Sequence, residues 1–202
     1  MKLYYAPGAC SLSPHIALRE AGLPVELIKV DLGSKKLADG GDYVSINPKG
    51  YVPAVQLPNG ELLTEGPAIV QYIADQNADS RLAPKAGTLE RYRLQEWLTY
   101  IGTEIHKNFS PLFNKAASAD SKAAAIATLE KRFDYVSAQL GAKSYLFGDQ
   151  FTVADGYLFT IVNWTKFVGM DLGKWPVLSA FHARVAARPK VQEALKAEGL
   201  LK

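Results

Sequence analysis

The chain changes its grammar once, near residue 88, and that change limits the possible folds more than any other feature. Residues 1 to about 77 alternate between strand and helix signals. "KLYYA" reads as a short strand, broken by Pro7-Gly8. Ser13 then offers an N-cap, with Pro14 at the first helical position. Ile16, Ala17 and Ala21 supply an apolar helical face, and Gly22 stops the turn. "PVELIKV" predicts a second strand from its β-branched alternation. "PAVQL" and "ELLTE" flank Pro58-Asn59-Gly60, a hairpin turn, and "GPAIVQYIADQ" returns to helix with Ile69, Tyr72 and Ile73 on one face. Strand, crossover helix and parallel strand, then hairpin and helix, predict a small mixed sheet covered by helices.

Residues 78–87 are polar and turn-rich and read as a linker. From Thr88 onwards only helices are expected, so residues 88–202 are read as one all-α domain. Leu94, Leu98, Ile101, Ile105 and Phe109 step by three and four, giving a core-facing stripe on a long helix. "SKAAAIATLEKRFDYVSAQL" is a second amphipathic helix with Gly141 as its C-cap. Thr152 and Asp155 form a capping-box-like pair ahead of "GYLFTIVNW", whose almost wholly apolar character predicts a buried central helix. "PVLSAFHARVAAR" and "PKVQEALKAEG" fit two shorter helices.

The bulk properties exclude several function classes. A formal net charge of +3, from scattered basic residues, gives no nucleic-acid footprint. One cysteine rules out an intramolecular disulfide, and His15, His106 and His182 have no ligand spacing, so no metal is expected. No apolar run approaches membrane-spanning length and the first residues lack a signal region, so a cytoplasmic location is expected.

Three points in the first half suggest a site. Cys10 falls on a loop just before a helix start, where backbone amides favour an anion and ease ionisation of a thiol. A lone cysteine is also a common packing residue, and that alternative stays open. Cys10-Ser11-Leu12-Ser13 has the spacing of a thiol-redox motif but lacks its second cysteine. In "KGYVPAV", a cis Val52-Pro53 bond would turn the backbone of Val52 outward to pair with an extended peptide-like ligand. An ordinary trans proline at a strand start is the competing reading. In "TEGPAI", the amides after Glu65-Gly66 suit a carboxylate and the Glu65 side chain suits an ammonium, although acidic residues are common at helix starts for dipole reasons alone. A ligand with an amino-acid head, a peptide middle and a thiol is glutathione.

"YYAPGACSLSPHIAL", "NPKGYVPAVQL", "LTEGPAIVQYIAD" and "TVADGYLF" together resemble the bacterial beta-class glutathione S-transferases, and the likeness runs the length of the chain. The resemblance implies an α/β thioredoxin-like N-terminal domain, an all-α C-terminal helical domain and a homodimer. It implies that Cys10 lies next to the glutathione sulfur, that the Val52 backbone pairs with the cysteinyl part and that Pro53 is cis. It also implies that Glu65 and Gly66 hold the γ-glutamyl group and Lys35 the glycine carboxylate. Thr152 and Asp155 match a motif concerned with folding. Gln95, Thr99, Thr103, His106 and Ser110 form a polar stripe, and the resemblance brings Thr103 and His106 of it to glutathione. Relatives often carry asparagine where this chain has Thr99.

The activity implied is attack of a glutathione thiolate on a small electrophile, a detoxification chemistry, with Cys10, Ser11, His106 and Tyr5 as groups able to stabilise the thiolate. Tyr4 and Tyr5 point to opposite faces of their strand, so one of them is core. Phe109, Phe113 and Trp164 are candidates for an apolar electrophile site. No cofactor is implied beyond glutathione as co-substrate. Two alternatives remain: thiol–disulfide exchange through Cys10, and a non-catalytic ligand-binding protein.

Overall fold

Leu3 and Tyr4 on the first strand are almost wholly buried, and the α/β unit is built around them. In the computed structural model, which describes residues 1–201, the order of that unit begins β1 (Lys2–Tyr5), α1 (Leu12–Glu20) and β2 (Glu26–Asp31). It continues through β3 (Lys36–Leu37), α2 (Tyr43–Ile46), β4 (Ala54–Gln56), β5 (Leu62–Thr64) and α3 (Gly66–Gln76). The five-stranded sheet runs β3-β2-β1-β4-β5, as a thioredoxin-like mixed sheet does. β1 and β2 are parallel with Leu3 opposite Leu27, which is the expected crossover unit. β4 lies antiparallel to β1 and forms a hairpin with β5, where Val55 faces Leu63.

The sequence reading differs from this unit in two places. β3 and α2, of two and four residues, are too short to leave a periodic signal. The cap of α1 is also shifted: the helix starts at Leu12 behind Ser11, not behind Ser13. Ser13 lies inside the first turn with its hydroxyl buried and without a hydrogen-bond partner.

The last segment also returns to this unit. The chain from Ala187 onwards clusters with Met1–Ala83, and Pro84–Ala186 form the second unit, so the expected continuous 88–202 domain is not what the chain builds. The helix responsible is α9 (Pro189–Ala197), whose start is tied by Arg188 to Glu20 through two bonds of 2.7 and 2.8 Å. Beyond its end, the buried Glu198 accepts from the Gly8 amide at 2.9 Å and pairs with His15 Nδ1 at 2.8 Å. Arg19 donates to His15 Nε2, so the proton on this imidazole sits on Nδ1 and points at the carboxylate.

The second unit is helical: α4 (Leu89–Tyr100), α5 (Ser110–Phe113), α6 (Ala119–Leu140), α7 (Val153–Val162) and α8 (Pro176–Ala186). Its core follows the predicted stripe, with Leu94, Leu98, Ile101, Ile105 and Phe109 all buried, and Leu129 and Phe133 of α6 buried with them. The single long helix expected there is instead interrupted. Ile101–Ile105 form a π-helical turn and His106–Phe109 a 3-10 turn before α5 resumes.

Helix α7 is buried along its whole length. The Asp155 carboxylate satisfies its start, accepting from the amides of Leu146 and Thr152 and from the Thr152 hydroxyl, each at 2.8 Å. Burial pushes this carboxyl up to about 6, against hydrogen bonds that favour its anion.

Candidate active site

On the α/β unit, the expected residues gather on two adjoining loops and one helix start. Cys10 is half-buried and its thiol donates to the Val52 carbonyl at 3.2 Å. The Val52-Pro53 bond is cis. Here the loop after α2 meets the turn between β1 and α1, with Val52 on the Cys10 thiol and Ala54 paired with Tyr4. Two buried side chains that the sequence reading passed over hold this loop. Tyr43 donates to the Tyr51 carbonyl at 2.7 Å and Asn47 Nδ2 to the same oxygen at 2.8 Å. Nothing in "GDYVSINPKG" marks them locally, since their role depends on a carbonyl four or eight residues on that only the fold presents.

Ser11 is brought to the same turn but not to a ligand. It is fully buried, its hydroxyl donates to the Ala6 carbonyl and it accepts from the Ala6 amide at 3.1 Å. Its one donor is thus spent on the Ala6 carbonyl, so Ser11 braces the Cys10 loop. Tyr5 is also nearly buried, its ring 6.4 Å from that of His15. Burial and the Glu198 charge raise its pKa, which keeps the phenol protonated. Tyr4, on the opposite face, packs 5.5 Å from Tyr43 and is the core member of the pair.

Glu65 has the left-handed φ of 69°, unusual for a residue with a side chain, immediately before α3. Such an outlier is held by its surroundings and often accompanies function. Its backbone carbonyl accepts from the Ala68 and Ile69 amides, and its exposed carboxylate meets Lys49 Nζ at 2.6 Å. Lys49 also donates to the Thr64 hydroxyl at 3.1 Å. Here an ammonium already occupies the partner position that the sequence assigns to a ligand's ammonium. Lys49 reads as an ordinary loop charge in the sequence, and only its placement singles it out. Gly66 has room for its backbone beside the cis proline: a Cβ there would stand 3.8 Å from Pro53 Cγ. Lys35, at φ 58°, donates to the Gly50 carbonyl at 2.9 Å and lies over the Tyr51 ring. An ammonium has three donors, so one such bond leaves capacity for a carboxylate.

The helical unit holds the other candidates. Burial, and secondarily Lys107, push the His106 imidazole down to about 4, so it is neutral near pH 7. Its Nδ1 lies 2.7 Å from the Tyr157 hydroxyl, and its ring meets Trp164 edge-on at 4.9 Å. Trp164 in turn contacts Phe109 at 5.6 Å and Phe113 at 5.4 Å. These rings form one cluster with unequal access. Phe109 is fully buried and belongs to the core, whereas Phe113 is 48% exposed and presents apolar surface. Phe109 is therefore removed from the electrophile site for lack of any accessible face. Thr103 is exposed and its hydroxyl donates back to the Thr99 carbonyl at 3.0 Å.

The sheet order, with a half-buried thiol hydrogen-bonded to the Val52 carbonyl at its edge, defines a protein of the thioredoxin-like class. Residues 8–76 match the glutathione S-transferase N-terminal domain family, and residues 100–189 match the glutathione S-transferase C-terminal domain family. The chain is 48% identical over 200 residues to glutathione S-transferase GstA of Escherichia coli O157:H7, covering 99% of this chain and 100% of that one. It is 58% identical, with a TM-score of 0.98, to the ternary complex of BphK, a bacterial GST, covering 99% of this chain and 100% of the other. The bacterial beta class Sphingomonas chungbukensis glutathione S-transferase is 49% identical, with a TM-score of 0.96 and 100% coverage of both chains. The chain belongs to the glutathione S-transferases, among the bacterial beta-class members.

Proposed function

We propose that the protein conjugates the thiolate of glutathione to small apolar electrophiles. The observation that carries this reading is the Cys10 thiol on the Val52 carbonyl at the cis-proline edge, with Glu65-Gly66 at the next helix start. A peptide pairing with Val52 carries its own cysteine towards Cys10, its amino-acid head towards Glu65 and its far carboxylate towards Lys35. Lys49 leaves Glu65 when the ligand's ammonium takes its place. The glutathione sulfur attacks the electrophilic carbon, the leaving group departs with the electron pair, and the thiol proton passes to solvent. His106, as a neutral imidazole, donates a hydrogen bond to the thiolate, and Phe113 with Trp164 receives the apolar part of the electrophile. Support also comes from a solved relative, 48% identical, described as a sphingomonad glutathione S-transferase complexed with glutathione.

The homodimer belongs to the same reading. Leu89 and Tyr92 of α4 and Tyr135 of α6 are exposed, and Tyr135 adjoins Trp97 and Tyr100, leaving an aromatic face on the helical unit suited to a second copy. Light scattering that gave a monomer mass at micromolar concentration would remove that part.

Thiol–disulfide exchange is the second reading, favoured by the accessible lone thiol of Cys10 and by a 28% identical relative named disulfide-bond oxidoreductase YfcG, from Escherichia coli. In it the Cys10 thiolate attacks glutathione disulfide, forming a mixed disulfide and releasing one glutathione thiolate. Conjugation of glutathione to an activated aryl halide, measured on wild type and Cys10→Ser, tests both. Turnover that persists in Cys10→Ser supports conjugation. An inactive wild type that still exchanges disulfides, with exchange lost in Cys10→Ser, overturns it.

A further inference from the structure

The rings around His106 include a residue that the sequence does not single out. Tyr157 lies on the buried helix α7, is 4% exposed, and places its hydroxyl 2.7 Å from His106 Nδ1. A neutral imidazole has one donor and one acceptor nitrogen, so a phenol hydrogen given to Nδ1 leaves the ring's own proton on Nε2.

Three features fix the arrangement. The π turn at Ile101–Ile105 re-aims the chain just ahead of His106, and such turns recur at functional positions. Gly102, on that turn, backs the hydroxyl: a Cβ there would stand 3.6 Å from the Tyr157 oxygen. Trp164 crosses the imidazole edge-on, with the ring planes at 71°, and opposes its rotation.

We propose that Tyr157 is a positioning residue that gives its phenol hydrogen to His106 Nδ1 and so holds His106 as a fixed Nε2–H donor, the form in which conjugation uses it. The proposal rests on the transferase reading above. It differs from a general-base role, because the ring gives a hydrogen bond and takes no proton. Burial keeps the ring neutral near pH 7, which agrees with that assignment.

The test begins with the full-length wild type, free of ligand, labelled with 15N at histidine. Long-range 1H–15N spectra near pH 7.5 are expected to show His106 with a pyridine-type Nδ1 and a pyrrole-type Nε2. A pyrrole-type Nδ1 would overturn the proposal, since the imidazole would then be donating to the phenol oxygen. In Tyr157→Phe, kcat with an aryl halide is expected to fall about tenfold while KM for glutathione stays within about twofold, the loss of one positioned hydrogen bond. Unchanged kcat in a folded Tyr157→Phe protein would also overturn it. Absence of conjugation in the wild type refutes the transferase reading instead, and is told apart because the tautomer is read without substrate.

Discussion

Replacing His106 by asparagine should change how stability depends on pH, by an amount the burial of the ring sets. The imidazole is held at about 4 in the folded protein, against an ordinary 6.5. A folded-state pKa below the unfolded one means that the folded form binds the proton less tightly. The associated stability is then complete above the unfolded value and is lost as pH falls through the folded one. The gap from 6.5 to about 4 amounts to about 3.4 kcal/mol at full protonation, of which about 2.5 kcal/mol is gone by pH 4.5.

Asp155 works in the opposite sense. Its carboxyl is raised from 3.8 to about 6, so its contribution grows as pH falls below 6 and is lost as pH rises through that value. The two groups oppose one another, and the wild-type profile alone would look deceptively flat. The informative quantity is the difference between wild type and His106→Asn, in which Asp155 cancels. Urea unfolding followed by tryptophan fluorescence, at steps between about pH 7.5 and 4.5, supplies it. Wild type should lose about 2.5 kcal/mol relative to the variant over that range. Parallel pH profiles for the two proteins would refute the claim that burial keeps His106 neutral.

Asp155→Ala orphans two backbone amides and a hydroxyl, and should cost about 2–5 kcal/mol in urea unfolding while the GSH KM of the remaining folded protein is unchanged. Phe109→Ala should cost about 3–5 kcal/mol as a core deletion. Phe113→Ala should cost far less and instead raise KM for the electrophile, so a paired melt and kinetic assay separates their roles. Tyr43→Phe removes one of two donors to the Tyr51 carbonyl and should raise KM for glutathione about fivefold, equivalent to about 1 kcal/mol, read by varying glutathione at saturating electrophile.

What was legible in the sequence was whatever the backbone announces locally. Pro7-Gly8, Gly22, Pro58-Asn59-Gly60 and Pro67 punctuate the first unit, and β1, β2, β4, β5 and α3 fall where that punctuation puts them, whereas the short β3 and α2 do not announce themselves. The apolar spacing of Leu94 to Phe109 marked the core-facing stripe, yet gave no sign of the π turn within it. An insertion of that kind leaves the apolar spacing almost intact, while it alters the direction of the helix beyond it.

The site was legible in part for a related reason. Cys10, Pro53 and Glu65 each have an ordinary reading alone, as packing residue, trans proline and helix-start acid, and it is the three together that point to one ligand. Ser11, Lys49, Asn47 and Tyr157 are ordinary in sequence, and their roles come from partners far along the chain or from backbone groups presented by the fold. Ser11 shows the cost: its place beside Cys10 suggested chemistry, and burial against Ala6 gives it a bracing role.

The return of the chain after Ala187 to the first unit has a bearing on the protein's synthesis. Domains usually acquire structure in the order in which the ribosome releases them, amino-terminal first. Here the sequence order and the order of completion are inverted. The middle segment, 84–186, has all its own parts once it has emerged, while the leading α/β segment must wait for the residues from Ala187 onwards. Until then Gly8 and His15 lack their Glu198 partner, and the loop that carries Cys10 is unsecured on one side. The Cys10 thiol thus acquires its finished setting only once residues 187–198 have been synthesised, later than the whole of the helical segment that precedes them.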